Sequence, residues 1–347
     1  MIIELNLKQA KKAIRKALSK GLVPTLQGPP GLGKSDMIRD IASSAKLKLI
    51  DLRLAQCEPN DLLGYPAVVD GKSTYMPMDT FPLEGEDVPE GFKGWLLFLD
   101  EIRNAPVAVQ MAAYKLILDR EVGNHKLHPK VFIVAASNGE EDNCFVTPMS
   151  DALKSRMIHL RLRVDPEEWT LWALKNDIDT RIISFIGFQP DLLASHELSK
   201  DSEESYGCYR TWYFTSELIK GVSTPELIND EVEQALVQGS IGSSTTTQFL
   251  SYLEFFADLP HYKEVLSKPE TAKIPDHYEI GLVWATIGML STNFEIKDID
   301  PVLTYINRLP SEFQVVFIKD IAIRHKEVLG LKQMQPWIAT LVDTSWS

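Results

Sequence analysis

With 347 residues, 44% of them apolar and 24% charged, the chain has the make-up of a soluble globular protein of two or three structural units. A formal net charge of −12 opposes non-specific adhesion to nucleic acid or anionic membrane, though a local basic channel inside a ring is compatible with it. No apolar run reaches the roughly 18–20 residues that span a bilayer, Met1 to Leu5 lacks the features of a signal peptide, and Cys57, Cys144 and Cys208 lack metal-ligand spacing, so a reducing, cytoplasmic setting is expected.

Taken in order, Asn6 is placed to cap a helix running to about Lys20, with Ala10, Ala13, Ile14, Ala17 and Leu18 on its apolar face, and Gly21 ends it. Leu22 to Leu26 reads as a strand. It runs into Gln27-Gly28-Pro29-Pro30-Gly31-Leu32-Gly33-Lys34-Ser35, which fits G-x-x-x-x-G-K-[ST]. Glycines there let successive N–H groups point inward at an anion. Lys34 adds a point charge for the outer phosphates of a nucleotide, and the Ser35 hydroxyl offers a ligand to Mg²⁺. The helix expected over Ser35 to Ala45 aims its positive end at the same phosphates.

Leu47 to Leu54 alternates as a second strand. Residues 55 to 94 form a proline- and glycine-rich insertion, in which Val69-Asp70-Gly71-Lys72 suggests a hairpin. Trp95-Leu96-Leu97-Phe98-Leu99-Asp100-Glu101 is an apolar run ending in two acids, the pattern of a buried strand delivering carboxylates at its C-terminal end. Asp100 is placed to hold Mg²⁺, directly or through water, and Glu101 to orient and polarise an attacking water. A helix over Pro106 to Asp119 and a turn or small hairpin over Glu121 to Lys130 follow. Val131 to Asn138 is a third buried strand. Asn138 is either a turn residue or a hydrogen-bond donor to the γ-phosphate or the lytic water. His159 to Val164 adds a strand, and together these segments predict a parallel α/β sheet. His125 and His128 share one turn, but no third ligand stands near them, so no metal site is expected there.

At Asp165-Pro166-Glu167-Glu168, which resembles a capping box, the character becomes helical. Helices are expected over 166–176, 179–188, 211–220, 225–238, 245–257, 278–291 and 311–328, with loops near 196–207 and 258–276.

With these segments in place, the sequence resembles an AAA+ ATPase of the MoxR family. The resemblance rests on the phosphate loop, the Leu99-Asp100-Glu101 strand end, Asn138, Ala152-Leu153-Lys154-Ser155-Arg156 and Tyr209-Arg210-Thr211-Trp212. It also takes in Asp51 to Gln56, Asp61-Leu62-Leu63-Gly64 and Asn104-Ala105-Pro106, so it spans roughly residues 20 to 220. It implies an AAA+ α/β nucleotide-binding domain over 1–164, with its insertion at about 55–94, then a helical lid over 165–258 and a helical C-terminal region over 259–347 of unassigned role. Asn138 would be sensor 1, Arg210 sensor 2 on the lid, and Arg156 the arginine finger reaching a neighbour's ATP, with Arg120 in reserve for that contact. Lys126 would line a central pore. Two residues depart from the family pattern: Arg103, where relatives often carry a neutral amide, and Tyr209, where proline is common.

The resemblance further implies ATP and Mg²⁺ as cofactors, a homo-oligomeric ring with a hexamer as the expected assembly, and chaperone-like remodelling of a separate protein with a von Willebrand factor A domain. Two other classes are compatible with a phosphate-loop ATPase. A DNA-handling AAA+ motor, helicase or translocase, runs against the acidic balance. A nucleotide-dependent scaffold has no need of the water-orienting Glu101.

Overall fold

The computed structural model describes residues 2–138, 149–196, 203–254, 259, 261–276 and 279–337. Cys144, the end of the expected 245–257 helix and the middle of the 196–207 loop lie outside the described residues. The chain divides into two compact units, one ending at Val164 and the other starting at Asp165.

The first unit is built on a six-stranded parallel sheet. Its strands are β1 (Glu4–Leu5), β2 (Val23–Gln27), β3 (Leu47–Arg53), β6 (Gly94–Asp100), β9 (Val131–Ser137) and β10 (Met157–Leu162), lying in the order β1-β10-β2-β9-β6-β3. Two small antiparallel ribbons stand apart from it: β4 (Tyr65–Val69) with β5 (Lys72–Met76), and β7 (Glu121–Val122) with β8 (His125–Lys126). The helices are α1 (Leu7–Leu18), α2 (Lys34–Ala45), α3 (Pro59–Leu63), α4 (Val107–Leu118) and α5 (Asp151–Lys154).

Local chemistry explains most of these bounds. Asn6 accepts from the Gln9 N–H at 2.9 Å while the Gln9 side chain accepts from the Asn6 N–H at 3.1 Å, a reciprocal cap that starts α1. That helix then buries Ala10, Ile14, Ala17 and Leu18. From Trp95 to Leu99 every residue of β6 is buried, as a central parallel strand covered on both faces must be, and each large side chain there contributes about 1.5–3 kcal/mol by leaving water. The strand before the phosphate loop ends one residue later than the pattern suggests, at Gln27, and β10 starts at Met157, two residues before the expected His159. Met157 joins the main core and extends the pairing with β2. Two-residue β1 is too short to leave a period in the sequence; it exists because β10 offers it a parallel edge.

The second unit is helical: α6 (Pro166–Lys175), α7 (Thr180–Phe188), α8 (Tyr209–Ile219), α9 (Thr224–Asn229), α10 (Glu231–Ile241), α11 (Ser243–Glu254), α12 (Tyr262–Ser267), α13 (Ile280–Asn293), α14 (Ile299–Ile306) and α15 (Ser311–Arg324). Asp165 caps α6 by accepting from the Glu168 N–H at 3.0 Å. Rings of Phe185, Trp212, Phe249 and Tyr252 pack in tilted and edge-on pairs in its core, and Trp212 donates its indole N–H to the Leu192 carbonyl at 3.0 Å. The helices after residue 259 close a second core of Val283, Leu290, Tyr305, Phe317 and Ile321.

Three expectations are corrected here. The single helix over 225–238 is two, because Asp230 leaves helical geometry and caps α10 by accepting from the Val232 and Glu233 N–H groups. The expected loop over 258–276 contains α12, which is short but buries Val265. Helix α14 is an element the periodicity missed, since Pro301 falls inside its eight residues.

Candidate nucleotide site

Parallel strands deliver their C-terminal ends to one edge of a sheet, and loops there carry the chemistry. β2, β9 and β6 are neighbours, with Gln27 in register with Ser137 and Leu99 with Ala135. The phosphate loop leaves β2, Asn138 follows β9, and Asp100 ends β6. The three therefore converge although they are far apart in sequence.

Gly31 and Gly33 adopt φ of 74° and 85°, the left-handed conformation that turns their amides inward and that side-chain-bearing residues resist. Gly28 is needed for a different reason: a Cβ there would stand 2.8 Å from the Leu162 Cβ, so only glycine lets the loop begin against β10. Pro29 and Pro30 stiffen the stretch between, and Leu32 is buried at 2% exposure, anchoring the loop in the core.

Lys34 opens α2 and is itself buried, with 8% exposure. Its ammonium donates to the Gly28 carbonyl at 2.6 Å, the Pro29 carbonyl at 2.9 Å and Asn138 Oδ1 at 3.0 Å. Lysine and asparagine thus meet across 104 residues of sequence. Ser35 donates its hydroxyl to Asp100 Oδ2 at 3.1 Å. A hydroxyl and a carboxylate side by side, both hard oxygen donors, suit Mg²⁺, and the glycine-lined turn suits a chain of phosphates, so the residues present fit both groups.

Glu101 has φ of 58°, left-handed for a residue with a side chain, a conformation that costs on the order of 1–3 kcal/mol. The turn is held by neighbours: the Glu101 N–H donates to Asp100 Oδ1 at 2.9 Å, the Ile102 N–H to the Ala136 carbonyl at 3.1 Å, and the Asn104 N–H to the Glu101 carbonyl at 2.9 Å. The kink brings the second acid out of the buried strand to half-buried surface beside the first. Arg103, two residues on, is buried at 7% exposure.

The three arginines sit differently. Arg156 follows α5 and is exposed; its guanidinium donates to the Ala152 carbonyl at 3.1 Å and Ser155 Oγ at 2.7 Å, and lies 5.5 Å from the centre of the Tyr114 ring. Arg120 is half-buried, donates to the Val131 carbonyl, and burial pulls its guanidinium below its ordinary range. That residue ties down the β7–β8 ribbon. Arg210 lies in the second unit, exposed, second in α8. Tyr209 before it accepts from the Asp165 N–H at 3.1 Å and packs its ring against Trp169, which ties the start of α8 to the cap of α6.

Lys126 is exposed and pairs with Glu121 at the open end of the β7–β8 ribbon, away from its Gly123-Asn124 turn, and His128 accepts from the Lys130 N–H at 2.9 Å beside the Trp95 ring. Among the described residues no cluster of three or more His, Cys, Asp or Glu could hold a metal, and no helix is long and apolar enough to cross a membrane. Two polar residues next to the site have no role that the sequence assigns: Gln27, immediately before the loop, and His159 on β10, whose side chains lie 3.2 Å apart. The signal was there only in strand register, since no spacing along the chain relates them.

Residues 25–157 match the family described as AAA domain, dynein-related subfamily. No curated protein matches the chain in sequence. Among solved structures it is similar to the Holliday junction branch migration motor RuvB of Thermotoga maritima (17% identity, 76% of this chain and 75% of that one, TM-score 0.35). It is likewise similar to a protein from Cytophaga hutchinsonii described as an ATPase (15% identity, 96% and 89%, TM-score 0.33) and to NtrX of Brucella abortus (14%, 98% and 66%, TM-score 0.33). The family match spans the phosphate loop, the Asp100-Glu101 strand end, Asn138 and the turn before β10 that carries Arg156, and on these grounds residues 25–157 have the P-loop fold of an AAA domain and the chain is an ATP hydrolase.

Proposed function

We propose that this ATPase works as a ring of MoxR type, with hydrolysis at sites shared between subunits driving the remodelling or maturation of a separate protein partner. The observation that carries this reading is the position of Arg156: exposed on the unit that holds the phosphate loop and, among the described residues, fastened to its own turn and the Tyr114 ring by the contacts above. A guanidinium presented in that way matches the oxygens of a neighbour's γ-phosphate.

Within one subunit, the backbone N–H groups of Gly31 to Ser35 bind the phosphates and Lys34 exchanges its carbonyl acceptors for phosphate oxygens. Ser35 and Asp100 would hold Mg²⁺, which neutralises charge on the outer phosphates. Glu101 orients the attacking water and takes its proton, and Asn138, already beside Lys34, fixes the γ-phosphate or that water. Arg156 from the next subunit spreads positive charge over the transferring group, an effect worth on the order of 10³–10⁵ in rate. Arg210 reads the γ-phosphate from the helical lid, so that its loss becomes rigid-body motion of the lid. The ring is proposed as a hexamer, and the partner as a protein with a von Willebrand factor A domain, both on the strength of the family resemblance. Residues 58–82 and the C-terminal helices are the proposed partner contacts. Deleting Gly64 to Met78 should then spare basal hydrolysis and abolish partner remodelling.

The deciding experiment is ATPase activity per subunit against protein concentration, with Arg156→Ala alongside. A rise with concentration, and a variant that binds ATP but turns over at least about 10³-fold more slowly, supports shared sites. Flat activity and an unaffected variant would overturn them.

A further inference from the structure

A second connection runs from the phosphate loop to Arg156, through the sheet of the same subunit. Gln27 is the last residue of β2, directly before Gly28. Its register partner on β10 is Arg161, and His159, two positions earlier, projects from the same face. Gln27 Nε2 lies 3.2 Å from His159 Nδ1, and His159 Nε2 lies 2.8 Å from the Lys154 carbonyl. A carbonyl only accepts, so Nε2 carries the ring proton and donates it; Nδ1 of the neutral imidazole then accepts from the Gln27 amide. Lys154 is the last residue of α5, and Arg156 comes two residues later, hydrogen-bonded back to Ala152 and Ser155 of the same turn.

The imidazole is thus a rigid spacer, holding the end of β2 with one edge and the arginine-bearing turn with the other. Backbone packing runs the same way. Gly28 meets Leu162 of β10 with no room for a Cβ, so the start of the loop and the end of β10 cannot move independently. Lys34 is bonded to the Gly28 carbonyl, and phosphates that draw its ammonium away change the load on the residue next to Gln27.

We propose that Gln27 and His159 are positioning residues that couple the nucleotide held by one subunit to the presentation of its Arg156 to the next. Neither touches the reacting atoms. The inference rests on Arg156 acting in a neighbour's site, and it goes beyond that reading by naming what sets the arginine's posture.

The test uses the full chain, with kcat and KM for ATP, ATP affinity from direct binding of a fluorescent ATP analogue, and melting temperature, for Gln27→Ala, His159→Ala, the double variant and Arg156→Ala. The expected result is a kcat lowered about 5- to 50-fold in each single variant, with affinity for the analogue changed less than about twofold. The double variant should be no slower than the worse single, because both residues serve one connection. A purely structural role would instead lower the melting temperature and leave kcat of the folded fraction alone. If Arg156→Ala is slow but the two single variants turn over like the wild type, or their effects multiply in the double, the coupling is overturned while the shared site stands. If Arg156→Ala turns over normally, both fall together. Should His159→Ala fail to fold, Gln27→Ala decides on the same kcat and affinity readings.

Discussion

Two parts of the first unit make opposite use of the chain. At the nucleotide edge, buried strands end in residues whose side chains are already joined to one another: Lys34 to Asn138, Ser35 to Asp100, Asp100 to the Glu101 backbone. In the β4–β5 ribbon no residue is buried, and Tyr65, Val68, Val69, Tyr75 and Met76 stand 43–75% exposed. One region invests its apolar residues in a core and its polar residues in fixed geometry. The other keeps apolar side chains in water, held by strand pairing, the turn at Asp70-Gly71, with φ of 49° and 74°, and a hydrogen bond from the Tyr65 hydroxyl to Asp61. Chemistry needs groups that are in place before the substrate arrives; a surface that meets another molecule needs apolar area still available. The contrast implies that damage to the first region appears in turnover, and damage to the second leaves turnover alone.

The sharpest test of that division is Glu101→Gln. It keeps the size of the side chain and removes the base, so kcat should fall about 10²–10⁴-fold with ATP affinity retained, read by steady-state hydrolysis and direct binding. A variant that keeps its rate would remove Glu101 from the chemistry. Next in size is Gly64→Ala, at the root of the ribbon. Gly64 has φ of 92°, and an added Cβ would stand 2.5 Å from the Met76 carbonyl oxygen. We expect a loss of about 1–3 kcal/mol confined to the ribbon, seen as faster amide hydrogen exchange over residues 65–76, with hydrolysis unchanged. If hydrolysis falls in step with exchange, the two regions are not separable.

Thr25→Val should have the opposite sign. Thr25 is 0% exposed on β2 and its hydroxyl has no hydrogen-bond partner among the described residues, so an isosteric methyl removes a desolvation penalty of about 1 kcal/mol and raises the melting temperature. A lower melting temperature would mean that the hydroxyl is bonded in solution. The smallest effect belongs to Val68→Thr. At 75% exposure it should change stability by less than about 0.5 kcal/mol, although it alters the surface offered to a partner.

What could be read from the sequence follows the same division. The phosphate loop is legible because a turn of inward amides requires glycine at fixed spacing, and β6 because a strand buried on both faces must be apolar throughout. Those two features, with the strand at Val131 to Ser137, are enough to predict the parallel α/β core. The break at Asp230 was not legible: the apolar period continues across it, and only the side chain's choice to cap the following helix divides the segment. Helices α12 and α14 escaped because six and eight residues hold too few turns to show a period. Contacts set by strand register were invisible in principle. His159 meets Gln27 across 132 residues, and nothing short of the order β10-β2 could bring them together. The kink at Glu101 was equally hidden, since an Asp-Glu pair ending a strand does not reveal that the second acid leaves it in a left-handed turn.

The bonds of Lys34 carry a consequence for ligand choice. Its ammonium is held by two carbonyls and an amide oxygen, so an arriving anion has to win a competition against acceptors that are already well placed. A lone phosphate or sulfate, touching the loop at one point, gains little from that exchange. A triphosphate meets the backbone N–H groups of Gly31 to Ser35 along its length, and those additional contacts offset the loss of the carbonyls. The lysine therefore acts as a threshold as well as an attractor, setting how many linked charges a ligand must bring before the loop accepts it.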